Sequence, residues 1–278
     1  MTPVRAVTLG LVQGLTEWLP ISSTAHLKIV PELLGWPEPG AAFSAVIQWG
    51  TLIAALLYFR GDIVRILREW TVGLLARRPF GTPEARLGWM ILVGTVPIVV
   101  LGLLGKDVIE TTFRRTEIIA SALILGGLLL YAAEYRYASQ TQPATLETMT
   151  WTQGLLIGLV QALALIPGAS RSGVTITGGL FVGVSREAAA RYSFLLSFPA
   201  IFGAGLYQLI KARKELLAAQ DGALNLVLAT LVAGVVGYAT IPLLLGIVKR
   251  YSTAVFIGYR LMLGLVLFWL LYVGTLKS

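Results

Sequence analysis

The chain has 278 residues, of which 56% are hydrophobic and only 13% charged, with a formal net charge of +8. An average soluble domain is about a quarter charged, so lipid is the expected solvent. Cysteine is absent and histidine occurs once, which excludes disulfides, thiolate chemistry and zinc sites of the usual Cys/His kind.

The basic residues lie in short loops beside apolar runs, where they orient the chain in a bilayer and meet anionic lipid; no nucleic-acid partner is expected. In chain order, the first apolar stretch, 4 to 34, is interrupted by Pro20-Ile21-Ser22-Ser23-Thr24. It runs straight into Glu17 and Pro20 instead of a small-residue cleavage site, so the N-terminus is expected to be retained. Spans are predicted at 41 to 59, 87 to 105 and 117 to 135, each long enough for roughly 30 Å of hydrocarbon. The intervening loop, 60 to 86, carries Arg60, Arg65, Arg68, Arg77, Arg78 and Arg86 against three acids, which places it in the cytoplasm and both termini outside. A second interrupted stretch, 151 to 182, breaks at Pro167-Gly168-Ala169-Ser170-Arg171-Ser172. Three further spans follow at 188 to 210, 224 to 248 and 254 to 275. Lys211, Arg213 and Lys214 fall on the outer side in this topology and oppose it. Arg260, within the last span, has no evident role.

Each half of an interrupted stretch is too short to span. A re-entrant hairpin fits better, because broken backbone at membrane depth is tolerated where protein or a water-filled cavity satisfies it. The two hairpins also match each other, Gly10-Leu11-Val12-Gln13-Gly14-Leu15 against Gly158-Leu159-Val160-Gln161-Ala162-Leu163, with Pro20 aligned to Pro167 after one deletion. The expected fold is therefore one all-α integral membrane domain, 1 to 278, with six spanning helices and two re-entrant broken-helix hairpins. Its halves, about 1 to 135 and 151 to 278, each hold one hairpin and three spans. An odd number of crossings inverts the second half relative to the first, so the hairpins enter from opposite faces and meet near the midplane.

Chemistry concentrates at the two breaks. Gln13 and Glu17 are four apart, on one face of the first half-helix, and Glu17 is a carboxylate at depth that either caps backbone or faces a cavity, partner or substrate. Ser22, Ser23 and Thr24 open the next helix; one of them is expected to act as its N-cap. His26 follows on the first turn, either as a structural residue or as a base for a nearby hydroxyl or water. The second break puts Arg171, with Ser170, Ser172 and Thr175, at another helix start, which is an anion receptor in kind. Arg171 either holds phosphate or neutralises Glu17, and both readings bring the hairpins together. The assembly suits phosphoryl transfer, with Glu17 either a ligand for a divalent cation or a group that orients the base. An anion transporter or lipid flippase with the same inverted architecture is the competing class; it needs no serine beside a histidine.

The run Gln13-Gly14-Leu15-Thr16-Glu17-Trp18-Leu19-Pro20-Ile21-Ser22-Ser23-Thr24-Ala25-His26, with Pro167 to Thr175 and Ala45-Val46-Ile47-Gln48-Trp49-Gly50, closely resembles the undecaprenyl-pyrophosphate phosphatase family, also called bacitracin-resistance proteins. The resemblance covers essentially the whole chain. It implies hydrolysis of the C55 isoprenoid diphosphate to the monophosphate carrier for peptidoglycan synthesis, at the outer face of a bacterial inner membrane, with Mg²⁺ or Ca²⁺ as cofactor. It assigns the acidic motif to Gln13 and Glu17, the serine and histidine to Ser23 and His26, and phosphate binding to Arg171 with Ser170, Ser172 and Thr175 beside it. Position 13 is often glutamate in relatives and is glutamine here, which leaves one carboxylate fewer for a metal. The nucleophile is left open between Ser23, His26 and water, and the oligomeric state is open too, a homodimer included. Hydrolysis followed by return of the product lipid across the membrane is the dual-role alternative.

Overall fold

The computed structural model describes residues 1–218 and 222–276, without the side chains of 110, 214, 215, 217 and 218, so that Lys214 lies outside what is described. Among the described residues, six helices are long and apolar enough to cross a membrane: α3 (Gly40–Tyr58), α5 (Pro83–Leu104), α7 (Thr116–Tyr137), α10 (Arg186–Ala218), α11 (Gly222–Arg250) and α12 (Ala254–Tyr272). They correspond to the six predicted spans. Their outward faces carry exposed side chains such as Val96, Leu104, Leu128, Leu231 and Trp269, as expected where hydrocarbon replaces water as solvent.

The two interrupted stretches form pairs of short helices. The first comprises α1 (Pro3–Thr16) and α2 (Ser23–Leu33); the second comprises α8 (Trp151–Gln161), a 3-10 turn over Ala162–Leu165, and α9 (Arg171–Phe181). At 1.5 Å per residue, α1 is about 21 Å long and the others about 17 Å, short of a bilayer. Both breaks end on a serine in the left-handed region, Ser22 at φ 73° and Ser170 at φ 67°. Each serine then caps the helix it precedes, Ser22 Oγ accepting from Ala25 N–H at 3.3 Å and Ser170 Oγ from Gly173 N–H at 3.2 Å. A left-handed serine is uncommon, and here it turns the chain sharply enough for the new helix to start within the break.

Small residues set the close crossings. A Cβ on Gly50 of α3 would lie 1.9 Å from the Thr230 carbonyl of α11, and one on Gly158 of α8 would lie 2.3 Å from Gly94 of α5. Helix α1 packs along α11, and α8 packs along α5. Helix α2 rests on α7 and α12 through Ala25, Ile29, Ile119, Leu123 and Leu267, while α9 lies between α7 and α10.

The arginine-rich segment 60 to 86 is more ordered than a loop. It contains α4 (Arg60–Leu75), in which Ile63, Ile66 and Trp70 form an apolar stripe at helical spacing, with Ile66 and Trp70 lying over Gly88 of α5. Arg60, Arg65 and Arg68 lie on its exposed side. Asp62 ties α4 to α10 through Arg191 at 2.6 Å. A short helix α6 (Lys106–Glu110) and a 3-10 turn (Thr112–Arg114) similarly fill the connection from α5 to α7.

Candidate active site

The two breaks meet at Glu17. Its carboxylate is buried; Oε1 accepts from Arg171 Nη2 at 2.6 Å, and Oε2 accepts from Gln13 Nε2 and from Ser23 Oγ, each at 2.7 Å. Gln13 and Glu17 are one turn apart on α1, which lets the amide reach the carboxylate. Ser23 and Arg171 are both the first helical residue after a left-handed serine, so each side chain leaves a helix start and points back into the break. Arg171 also lies over the Trp18 ring, 5.5 Å from its centroid. Its second terminal nitrogen, Nη1, is buried with no hydrogen-bond partner among the described residues. A guanidinium with one edge committed and a buried donor to spare is suited to taking an anion.

These groups border a chamber of about 180 Å³ lined by Glu17, Ser22, Ser23, Thr24, Gln48, Ser170 and Arg171 together with Pro167, Gly168 and apolar residues of α5 and α10. Thr24, Ile98, Ala164, Pro167, Ala200 and Ala204 are shared with a second, mostly apolar cavity of about 430 Å³. That groove continues past Gly203 to Lys106, Arg114 and Tyr207. The polar chamber is thus continuous with a long greasy slot.

Of the predicted residues, Glu17, Ser22, Ser23, Thr24, Ser170 and Arg171 line the chamber, and Gln13, His26, Ser172 and Thr175 stand behind it. Ser172 donates to the Leu19 carbonyl at 3.0 Å, joining the two breaks, and lies 3.2 Å from Ser170 Oγ. Thr175 sits 2.7 Å from both the Arg171 carbonyl and Ser193 Oγ, anchoring α9 to α10.

Ser23 and His26 have different hydrogen-bond partners. Ser23 donates to Glu17, whereas the imidazole engages Ser22 O through Nδ1 at 2.7 Å and the Tyr259 hydroxyl through Nε2 at 2.6 Å. A carbonyl only accepts, so Nδ1 carries the proton, and in the neutral ring Nε2 accepts from Tyr259. The ring stacks near-parallel on Tyr259 with centroids 5.7 Å apart. His26 therefore braces the turn at Ser22, and Glu17 is the carboxylate that accepts from the serine.

Sequence reading also missed Arg260. It is fully buried on α12 and donates to five backbone carbonyls: Leu123 and Ala122 of α7, Pro20 of the first break, and Gly168 and Ala169 of the second, at 3.0 to 3.2 Å. The signal available was the expense of a lone arginine at membrane depth; its partners were not readable.

Six apolar spans around two broken helices, whose breaks assemble a carboxylate, a hydroxyl and an arginine beside an apolar slot, define a multi-pass membrane protein with an anion-handling site. A family model described as bacitracin resistance protein BacA matches residues 6–266, and the chain belongs to that family. It is 55% identical to an undecaprenyl-diphosphatase of Chloroherpeton thalassium and 54% identical to one of Prosthecochloris aestuarii, in both cases over the full length of both chains. One from Chlorobaculum tepidum is 50% identical over 99% of this chain and 98% of its own.

Proposed function

We propose that the chain is an undecaprenyl-diphosphatase of a bacterial inner membrane, releasing inorganic phosphate and the monophosphate lipid carrier used in peptidoglycan synthesis. The observation that carries this reading is the single carboxylate, Glu17, bonded to Ser23 on one oxygen and to Arg171 on the other, in a chamber opening into an apolar groove. The diphosphate occupies the chamber and the isoprenoid the groove. With loop 60 to 86 in the cytoplasm, the groove's Lys106 and Arg114 end faces outward.

Arg171 and the unpaired N–H groups at the start of α9 hold the terminal phosphate. Ser23 Oγ attacks phosphorus, passing its proton to Glu17, while the bond to the bridging oxygen breaks and undecaprenyl phosphate leaves. Water then attacks the phosphoserine, the P–Oγ bond breaks, Glu17 returns its proton to Ser23 Oγ, and dihydrogen phosphate departs with both protons of the water. Loose phosphoryl transition states demand little nucleophilicity, so positioning and charge supply most of the rate. An arginine moving from Glu17 to phosphate also frees the carboxylate to accept the proton.

Among the described residues no three His, Asp or Glu side chains gather into a cation site, and both Glu17 oxygens are engaged. This donor set does not fit a cation held by the protein alone. A Mg²⁺ or Ca²⁺ ion would instead arrive on the diphosphate, where it would neutralise phosphate charge.

Two features support reading the halves as an inverted repeat: the matched left-handed serine caps, and the exchange in which α1 packs on α11 and α8 on α5. The test of function is phosphate release by purified protein from a long-chain isoprenyl diphosphate, with the monophosphate as control. Rapid release from the diphosphate alone is expected; binding of both lipids without turnover would favour a lipid transporter.

A further inference from the structure

We propose that Arg260 is a positioning residue that sets the distance between Ser23 and Arg171 by clamping the carbonyls of both breaks with one guanidinium. This rests on the phosphatase reading above. The Arg260 Nη1 donates to Pro20 O, three residues before Ser23, and Nη2 donates to Gly168 O and Ala169 O, immediately before Ser170 and Arg171. The remaining bonds, from Nε to Leu123 O and from Nη2 to Ala122 O, fix the same group to α7. Carbonyls in a broken helix lack intrahelical donors, and burying them unpaired is costly. A neutral donor could satisfy one. Only a planar fork with several N–H groups reaches carbonyls from both hairpins and a spanning helix at once.

Two further observations favour a built device over an incidental contact. No carboxylate among the described residues pairs with Arg260, although it is fully buried, so its charge is retained at depth for its geometry. Space is also reserved for it: a Cβ at Gly126 of α7 would lie 1.9 Å from Nη2, and one at Gly173 of α9 would lie 2.5 Å from Nη1. The neighbouring Tyr259 bonds His26, so two successive residues of α12 secure the first break from both sides.

The test uses Arg260→Lys, which keeps the charge and loses the fork, and Gly126→Ala, which keeps every polar group and pushes the guanidinium off its carbonyls. Both are assayed in detergent for phosphate release, with kcat expressed per folded molecule and KM measured for the same isoprenyl diphosphate. A misplacement of about 1 Å costs on the order of a hundredfold, so kcat is expected to fall by about that factor in both variants while KM stays within about threefold. A residue that merely holds the fold would lower the melting temperature and leave kcat per folded molecule unchanged. Wild-type kcat in either folded variant, or failure of both to fold, overturns the proposal. Absence of turnover in the wild type would instead sink the phosphatase reading.

Discussion

Ser23 and Arg171 occupy equivalent places in two different breaks, each the first residue after a left-handed serine, and they bind opposite oxygens of one carboxylate, Glu17, at 2.7 and 2.6 Å. Two copies of one turn thus deliver unlike groups to a shared partner. One supplies a hydroxyl suited to attack, the other a cation suited to holding phosphate. Four consequences are testable apart from this pairing itself.

Removing the Tyr259 hydroxyl should leave the stacked ring in place and free Nε2 of His26. Unpairing one buried acceptor costs about 1 to 3 kcal/mol, and His26 secures the carbonyl of Ser22 next to Ser23. Tyr259→Phe is therefore expected to lower kcat about tenfold, with His26→Ala worse. Steady-state phosphate release measures both, and equal activity of Tyr259→Phe and wild type would remove His26 orientation from the account.

Gln13 donates to Glu17, and its Oε1 is buried with no partner among the described residues. Gln13→Glu replaces that donor by a second carboxylate, creating a two-acid cluster that draws in a divalent cation. The concentration of Mg²⁺ or Ca²⁺ for half-maximal activity is expected to fall by about tenfold, since cation affinity follows ligand charge. An unchanged cation requirement would show that position 13 lies outside any ion's reach.

Gly203 lines the apolar groove, and no atom of the described residues lies within 4 Å of where its Cβ would be. Gly203→Leu should fold, with α10 gaining helix propensity, while filling part of the slot. KM for a long-chain diphosphate is expected to rise severalfold and KM for a short-chain one to stay put. Equal effects on both would place the tail elsewhere.

Asp62 lies on α4, outside the spans. Burial raises its pKa, but the hydrogen bonds and charges of Arg191 and Arg65 outweigh that and hold the carboxyl below its ordinary range. A depressed folded pKa adds stability above the unfolded value of about 4 and loses it as pH falls through the lower folded value. Thermal unfolding should show wild type more stable than Asp62→Asn at neutral pH, with the gap closing below about pH 4. A gap independent of pH would exclude the ion pair as its cause.

Much of this was readable in the sequence. Runs of about 20 apolar residues define the spans, because only a helix satisfies its backbone in hydrocarbon. The polar clusters at Pro20 and Pro167 marked the breaks, where Glu17 bonds both Ser23 and Arg171 in the structure. Helix α4 was hidden because six arginines between 60 and 86 masked the stripe of Ile63, Ile66 and Trp70. The sequence left His26 open between a structural residue and a base, because spacing alone does not reveal that the left-handed Ser22 offers its carbonyl to the imidazole. Arg260 could not be placed at all, since its acceptors lie up to 240 residues away in the chain.

The most direct measurement of the central claim is phosphate release from a long-chain isoprenyl diphosphate by Ser23→Ala, Arg171→Ala and the double variant. If the two breaks form one catalytic unit, each single change costs on the order of 10² to 10⁴ in kcat, and the double costs little more than either. Full turnover by Arg171→Ala, or losses that simply multiply, would contradict a shared site.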